Sequence, residues 1–590
     1  MPATALATAS PDTEIAGSRA ARQLRLGLEC HGAGRTEEAI AAFQLGLAAA
    51  ANEKPDAVSI ETMAELHAGL GNAAMLRGDF GLAGTNFQAA LRLAPHLTDC
   101  WCSLGTIHLT AGQPLDAVPF YLQALRLNPN HWPACTGLVE AMMATQQYIV
   151  ARGLLLKFAA ERPQDAKIRH QLGRAHFELN ELESALECFR AAAALDPRDA
   201  DSINWIGGLK QRMGDIEGAQ AAYVEAARIQ PLITKPAAKS PAEFRVLALY
   251  APFGGNMPTE YLFKDAIHDT VTLALFVSRE YDGDLFDQDT QLVVNLISDA
   301  DQTETLLPLA ADLVDRLGKP TINDPRRIER TTRDKVASLL RGIPGCRIPC
   351  ASRHKAGADS SPAGLEAAFA FSSSVLARPV GTHGGDDFEK FEDAAALSAF
   401  LSQRPDHDHY LIEYIGYRSR DGYFRKYRFI FVGDQILPYH LCIGNEWKVH
   451  HISTDMANQP WMQQEEEAFL NNPTAVFSPA HYQALHTIRQ RIDLEYCGID
   501  CALDLSGKLV VFEANASMLV HDRNHEFPYK NPAVQRIKLA FEAMLRRVAG
   551  SRRDASGLIP GSSQDRSPAL ASLTTTSIPV LAASPLGCVR

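Results

Sequence analysis

Small, aromatic and proline residues recur every 34 positions through the first 230 residues of the chain. A well-formed period contains Leu104-Gly105, Ala117, Tyr121, Ala124 and Pro129. Copies of this pattern with the same spacing precede and follow it. One copy, called the worn repeat below, departs from the pattern and has Leu155 at the aromatic position. A fixed period of this length predicts repeated helix pairs rather than a single globular core.

The residue types explain how each predicted pair would pack. Glycine and alanine let two helices approach closely, an aromatic ring fills the groove between neighbours, and proline starts the turn into the next pair. We therefore expect about six helix pairs over residues 20–233, counting an upstream unit that contains Phe43 and is followed by an insertion.

A different pattern begins after the repeats. The apolar runs RVLALY (245–250) and QLVVNLIS (291–298) predict buried strands, and ETLLPLAADLVDRLG predicts a helix that ends at a glycine. This alternation predicts an open parallel sheet over residues 245–365. From residue 366 to 548, paired strand-like runs with glycine-centred turns predict an α+β domain with antiparallel strands.

Three further segments have no helical or strand period. Residues 234–244 are rich in proline and alanine and predict a linker. Residues 1–19 and 549–590 predict disordered ends. The first residues lack the basic start and apolar centre of a signal peptide, and no run of about 18 apolar residues predicts a membrane span.

Charge and cysteine content narrow the function classes. The formal net charge of −12 argues against general binding to nucleic acid or to an anionic membrane. The eleven cysteines lack the spacing of a zinc site and indicate a reducing compartment. We therefore expect a cytoplasmic protein with neither nucleic acid nor a membrane as its partner.

The segment GIDCALDLSGKLVVFEANAS (498–517) carries the strongest chemical signal. If Ser506-Gly507 forms a two-residue hairpin turn, Asp500 lies opposite Glu513, and Asn515 shares their face. Two opposed carboxylates need a positive charge between them, and three oxygen ligands suit Mg²⁺. The alternative is a pair of acids that faces solvent at the end of a hairpin.

The repeats resemble the tetratricopeptide repeat family over residues 20–233. That resemblance implies a superhelix whose concave face binds a peptide or protein partner. A spacer or a dimerisation arm without a ligand is the alternative.

The C-terminal part, residues 245–548, resembles the ATP-grasp superfamily, in particular the glutathione-synthetase-like and D-alanine–D-alanine-ligase-like carboxylate–amine ligases. The resemblance implies ATP with two Mg²⁺ ions held by Asp500, Glu513 and Asn515. It also implies contacts to the nucleotide, with an arginine at 378 where the family usually has lysine. The implied phosphate and adenine contacts are Lys335, Arg378, Gly381, Gly384, Gly385, Glu413 and Ile415.

For the reacting group, the resemblance implies Arg428 as the basic residue beside the γ-phosphate or acyl phosphate, with Lys448 as the second choice. Asp421 is the candidate for the ribose. D-alanine ligases carry an arginine two residues before the first metal acid, where this chain has Gly498. The family chemistry needs no histidine base, so the histidines of the chain are assigned no catalytic role.

The predicted fold is therefore an all-α tetratricopeptide superhelix followed by an α/β and α+β ATP-grasp module. The predicted function is an ATP-dependent ligase that joins a small carboxylate substrate to an amine substrate through an acyl phosphate, with the repeats recruiting a peptide or protein substrate. The alternatives are a tetratricopeptide scaffold with a non-catalytic nucleotide-binding domain, and an ATP-grasp phosphotransferase.

Overall fold

The computed structural model describes residues 18–53, 58–281, 289–368, 374–382, 388–449 and 454–550. The chain divides into two compact units, the first ending at Leu209 and the second starting at Lys210. The predicted disordered ends lie largely outside the described residues. At their inner edges, helices begin at Arg19 and end at Gly550, so both predicted boundaries cut slightly into structure.

Twelve helices account for the described part of the repeat region. They are α1 Arg19–Gly32, α2 Thr36–Asn52, α3 Ile60–Arg77, α4 Phe80–Leu93, α5 Thr98–Thr110, α6 Pro114–Leu127, α7 Trp132–Ala144, α8 Tyr148–Glu161, α9 Ala166–Glu178, α10 Leu182–Leu195, α11 Ala200–Arg212 and α12 Ile216–Ile229. Several begin at a side-chain cap of the expected type, such as Ser59 or Asp165. The predicted order of helix pairs is thus confirmed.

Glycines in the repeats lie directly under the aromatic rings. Phe43 packs against Gly27 and Gly69, and Tyr121 packs against Gly105 and Gly137. A Cβ atom at Gly137 would lie 2.3 Å from Cζ of Tyr121, so no larger residue fits without movement. The glycines that recur in the period therefore have a steric cause, since each of those named lets a ring fill the space between two helices.

The second unit contains a five-stranded sheet with strand order β1-β3-β2-β4-β5. Its strands are β1 Leu232–Lys235, β2 Arg245–Tyr250, β3 Asp269–Ala274, β4 Leu292–Asn295 and β5 Thr321–Ile322. Strands β2 to β5 pair in parallel, as predicted. The predicted linker is partly wrong, because β1 pairs antiparallel with β3 and reaches Lys235 inside the stretch assigned to the linker.

Helices and short strands connect this sheet to the next one. They are α13 Leu307–Leu317, α14 Pro325–Ile328, α15 Arg333–Leu340, β6 Cys346–Arg347, β7 Ala351–His354 and α16 Pro362–Ala368. Helix α13 ends at Gly318 in the left-handed conformation, as the sequence predicted.

A second sheet has the strand order β7-β10-β8-β9, and all its pairs are antiparallel. Its remaining elements are β8 Val375–Pro379, β9 Glu389–Phe391, α17 Ala394–Ser402 and β10 His409–Glu413. Because β7 belongs to this sheet, the sheet begins before residue 366, where the sequence placed its start.

The third sheet has the order β12-β11-β13-β14-β6. Its further elements are β11 Phe424–Val432, β12 Gln435–Gly444, α18 Pro460–Asn471, α19 Pro479–Ile492, β13 Tyr496–Leu503, β14 Leu509–Asn515 and α20 Asn531–Gly550. Buried side chains of the first and third sheets, among them Leu249, Phe429 and Ile499, belong to one hydrophobic core. No helix among the described residues is long and apolar enough to cross a membrane.

The β13–β14 hairpin forms the predicted pair of residues, but its turn differs from the predicted one. Its connection is not a two-residue turn, since β13 ends at Leu503 and β14 begins at Leu509. Near the turn, Leu503 faces Leu509, and an irregularity between Asp500 and Cys501 then shifts the register by one residue. Beyond this β-bulge Asp500 faces Glu513, so the predicted pair is confirmed although the turn was wrong.

Candidate functional site

A pocket in the second unit is lined by elements that surround the end of β14. The loop after β4 contributes Asp299 and Asp301, helix α15 contributes Arg333, and the hairpin contributes Glu513 and Asn515. The second sheet supplies the opposite wall through Pro379, Gly381, Thr382, Tyr410 and Ile412. Acidic and basic side chains therefore meet in one concave place, as binding sites for charged ligands require.

Asp500 is buried beside two cationic side chains. Arg428 donates from Nε to Oδ1 at 2.6 Å and from Nη2 to Oδ2 at 2.9 Å, and Nζ of Lys426 lies 3.3 Å from Oδ2. Burial alone would raise the pKa of Asp500, but the charges of Arg428 and Lys426 outweigh it and hold that pKa well below its usual range. The carboxylate is therefore ionised at neutral pH.

Glu513 has its own positive partner. Nη2 of Arg333 lies 3.0 Å from its Oε2, and the amide of Asn515 donates to Oε1 at 2.5 Å. Burial and the neighbouring Asp500 act against ionisation, whereas Arg333 and Arg378 favour it, and the pKa of Glu513 falls to about 2. The positive charge expected between the two acids is thus supplied here by arginine and lysine side chains.

The chemistry of the donor set fits a hard cation. Asp500 and Glu513 offer carboxylate oxygens, and Oδ1 of Asn515 accepts one hydrogen bond, from the backbone N–H of Ser517 at 2.9 Å, which leaves it a second lone pair. Among the described residues, no three His, Cys, Asp or Glu side chains form a cluster that could hold a metal. Magnesium binding by this set of two acids and one amide therefore stays a prediction.

Helix α15 places a different basic residue in the pocket from the one expected. Lys335 is exposed and its Nζ donates to the carbonyl of Glu329 at 2.9 Å, away from the pocket lining. Arg333 lines the pocket together with Val336 and Leu340. These three positions recur at helical spacing and share one face of the helix, on which Val336 and Leu340 are buried, and Lys335 is off that face. The structure thus places Arg333, and not the predicted Lys335, at the pocket.

Arg378 lies on β8 and is only 6% exposed. Its guanidinium donates to the carbonyl oxygen of Thr382 and lies 3.3 Å from Oγ1 of that residue. Its buried Nε has no hydrogen-bond partner among the described residues. Burial and the nearby Arg333 lower the pKa of Arg378 to about 10, so it keeps its charge at neutral pH. A buried charged group with an unused donor is suited to receive an anionic ligand.

The glycine-rich loop after β8 is only partly described. Gly381 has a φ of 77°, and its carbonyl accepts a hydrogen bond from Nε2 of Gln302 at 3.1 Å. A side chain at that position would be strained, which explains the glycine. Gly384 and Gly385, also predicted to approach the phosphates, lie outside the described residues.

The remaining predicted contacts lie away from the pocket lining. Glu413 accepts from the backbone N–H of Cys350 at 3.1 Å, and Ile415 is buried. Asp421 accepts from Arg425, and Lys448 is exposed with its Nζ 3.2 Å from the carbonyl of Phe388. The structure thus does not bring these four residues to the pocket, although Tyr410 and Ile412, from the same strand as Glu413, do line it.

Sequence reasoning missed the acidic loop after β4. Asp301 accepts from the hydroxyl of Tyr410 at 2.7 Å, and burial raises the pKa of Asp301. Oγ of Ser298 lies 2.9 Å from Oγ of Ser517, and this hydrogen bond joins the loop to the end of β14 near Asn515. The polar residues that follow β4 could have been identified from the sequence, since polar residues at the carboxyl end of a parallel strand often contact a ligand.

Comparisons with known proteins concern the repeats. Residues 98–131 and 166–199 each match a family model described as a tetratricopeptide repeat. Among curated proteins, the chain is 30% identical over 130 residues to the protein CTR9 homolog of Arabidopsis thaliana, covering 21% of this chain and 12% of that protein. It is 29% identical over 103 residues to anaphase-promoting complex subunit 3 of Dictyostelium discoideum, covering 17% of this chain and 11% of that protein. The chain thus spans only a small part of these relatives.

Solved structures give partial matches as well. A MamA fragment from Desulfovibrio magneticus RS-1 is 22% identical, with 29% of this chain and 97% of that chain covered and a TM-score of 0.28. A Pseudomonas aeruginosa pilF structure is 17% identical, with 36% and 92% covered and a TM-score of 0.31. Taken with the helix pairs, the two family matches show that this chain contains tetratricopeptide repeats.

Proposed function

We propose that this protein is a tetratricopeptide scaffold joined to an ATP-dependent carboxylate–amine ligase of the ATP-grasp type. The repeats would bind a peptide or protein partner, and the second unit would bind ATP with Mg²⁺. One observation carries the proposal: Asp500 faces Glu513 across two strands, beside Asn515, at a pocket that Arg333 lines. Three oxygen donors and converging guanidinium groups are suited to a metal–phosphate ligand.

The chain's own residues have separable roles in this proposal. Asp500 fixes the fork of Arg428 by two hydrogen bonds, which orients a planar cation toward a transferred phosphate or acyl oxygen. Arg378, with its unused Nε, would donate to the nucleotide phosphates. When bound, Mg²⁺ would neutralise charge on those phosphates. Positioning and charge stabilisation of this kind account for most catalysis of phosphoryl transfer.

Calorimetric titration of ATP into the purified chain, with and without Mg²⁺, tests the proposal. Glu513→Gln keeps the shape of the side chain but removes a charged oxygen ligand, and we expect it to weaken Mg²⁺-dependent binding by about tenfold or more. Glu467→Gln is the matched control, because Glu467 is an exposed acid on α18. Binding that ignores Mg²⁺, or equal affinity for both variants, would contradict the proposed metal site.

A non-catalytic nucleotide-binding scaffold is the second candidate. The ion pairs of Asp500 with Arg428 and of Glu513 with Arg333 favour it, because both acids are already neutralised without a metal. The two family models match residues 98–131 and 166–199, which lie within the repeats. Hydroxylamine, which traps acyl phosphates as hydroxamates, separates the candidates. Hydroxamate and ADP formation from ATP and a carboxylate supports the ligase, whereas ATP binding without either product supports the scaffold.

A further inference from the structure

Four ionisable side chains form a single row across the third sheet. His440 on β12 faces Arg428 on β11, Arg428 faces Asp500 on β13, and Asp500 faces Glu513 on β14. Directly opposed residues of antiparallel strands point to the same face of a sheet. His440 therefore ends the row that begins with the proposed magnesium ligands, two strands beyond Asp500.

Glu466 of helix α18 fixes the proton on one ring nitrogen of His440. Nδ1 of His440 lies 2.5 Å from Oε1 of Glu466, and such a contact with an ionised carboxylate requires a hydrogen on the nitrogen. Nζ of Lys530 lies 2.9 Å from the same Nδ1 but also 3.1 Å from Oε1 of Glu466. Because a protonated Nδ1 accepts no hydrogen bond, the ammonium of Lys530 donates to the carboxylate.

The Glu466 carboxylate is itself held from several sides. It accepts from the backbone N–H of Leu441 at 3.1 Å and from the hydroxyl of Tyr529 at 2.7 Å. Burial alone would raise the pKa of Glu466, but its bonds to His440 and the charge of Lys530 lower it to about 2. A carboxylate that stays ionised and immobile keeps the imidazole in one tautomer.

The other ring nitrogen is left with a lone pair. Nε2 of His440 is buried and has no hydrogen-bond partner among the described residues. The charged and titratable groups around the ring are Glu466 on α18, Tyr529 and Lys530 before α20, and Arg428 on β11. Burial lowers the pKa of His440, and the positive charges of Lys530 and Arg428 act in the same direction against the effect of Glu466. The ring is thus neutral at physiological pH.

We propose, resting on the ligase function above, that Nε2 of His440 is the general base for the amine substrate. The amine nitrogen attacks the acyl carbon, the C–N bond forms, and the bond from that carbon to the phosphate oxygen breaks. Inorganic phosphate leaves with the bonding electron pair, and the proton lost by the amine passes to Nε2. His440 is the neighbour of Arg428 in the row. The proposed function puts the acyl phosphate at Arg428, so Nε2 of His440 would take the amine proton beside it.

The first test measures the tautomer in the full-length protein without any substrate. Nitrogen-15 NMR of imidazole-labelled protein at pH 7.5 should show the His440 ring protonated on Nδ1 and bare on Nε2. His440→Asn identifies that signal by its loss, and its amide can still donate to Glu466, which preserves the anchor. A proton on Nε2 at this pH would overturn the proposal, because the nitrogen could then accept none.

The second test separates the two half-reactions. The probes are ATP, Mg²⁺ and the proteinogenic amino acids as carboxylates, with either hydroxylamine or an amino acid as the nucleophile. Hydroxylamine is already a free base at pH 7.5, so His440→Asn should change hydroxamate formation by less than about threefold. Amide formation should fall by about 10² to 10⁴, the usual contribution of a positioned base.

Each outcome has one meaning. Equal losses of hydroxamate and amide formation in His440→Asn would show that His440 has a structural role. That result, or unchanged amide formation, would overturn the assignment of His440 as the base and leave the ligase function standing. Wild-type protein that forms neither hydroxamate nor ADP would overturn the ligase function, and the base with it.

Discussion

At the scale of single residues, the two acids of the candidate site are neutralised by neighbouring cations. Arg428 and Lys426 surround Asp500, and Arg333 contacts Glu513. Buried charges of one sign are costly, so each needs a partner or a ligand. In the proposed function, a phosphate ligand would pair with these cations and Mg²⁺ with the acids.

The two basic side chains of helix α15 should contribute unequally to MgATP affinity. Arg333→Gln should weaken MgATP binding roughly 10- to 100-fold, since a charge-assisted hydrogen bond contributes on the order of 1.5–3 kcal/mol. Lys335→Gln, two residues away on the exposed side, should change the affinity by less than about twofold. Calorimetry on both variants decides, and a larger effect at Lys335 would restore the assignment made from sequence.

Sequence reasoning reached the acids of the site and two of its cations, Arg378 and Arg428, but chose Lys335 in place of Arg333. Asp500, Glu513 and Asn515 follow from strand alternation, which is a local property. The choice between Lys335 and Arg333 depends on where the helix begins, and α15 begins at Arg333. One residue of helical phase turns a side chain by about 100°, enough to move it from the pocket to solvent.

At the scale of elements, ring-and-glycine contacts join the helices of the repeats. Gly137→Ala should destabilise the first unit by about 1–3 kcal/mol, because a Cβ there would overlap the ring of Tyr121. Gly153→Ala, on the neighbouring helix α8, is the matched control, since no atom lies within 4 Å of its added Cβ. That control should be neutral or stabilising by up to about 1 kcal/mol.

Thermal or urea unfolding followed by circular dichroism checks this pair. Equal behaviour of the two alanine variants would mean that helix propensity, rather than ring contact, decides how the repeats tolerate substitution.

Element prediction from sequence succeeded where the pattern was long and failed at short connections. The period of 34 residues fixed the helix pairs, and apolar runs located β2 and β4. The hairpin turn was misjudged because a five-residue connection and a β-bulge together give the same pairing at Asp500 as a two-residue turn. Compensating irregularities of this kind leave no mark in an alternating sequence.

At the scale of the whole molecule, two compact units share one chain. A ligand that binds only the folded second unit should stabilise that unit alone. MgATP at about 100 times its dissociation constant should raise the unfolding free energy of the second unit by about 2.7 kcal/mol. Differential scanning calorimetry should therefore show one transition moving to higher temperature while the other stays. A shift of both transitions, or of neither, would contradict this expectation.

The worn repeat has a mechanical consequence. At the joint where α7 meets α8, Val139 stands where the other units have glycine, and Leu155 replaces the aromatic ring. Both are buried, but no aromatic ring lies between two glycines at this joint, as the rings of Phe43 and Tyr121 do at theirs. In a linear stack each joint depends only on its neighbours. We therefore expect a chain pulled from its ends to open at this joint before it opens at the joints of Phe43 and Tyr121.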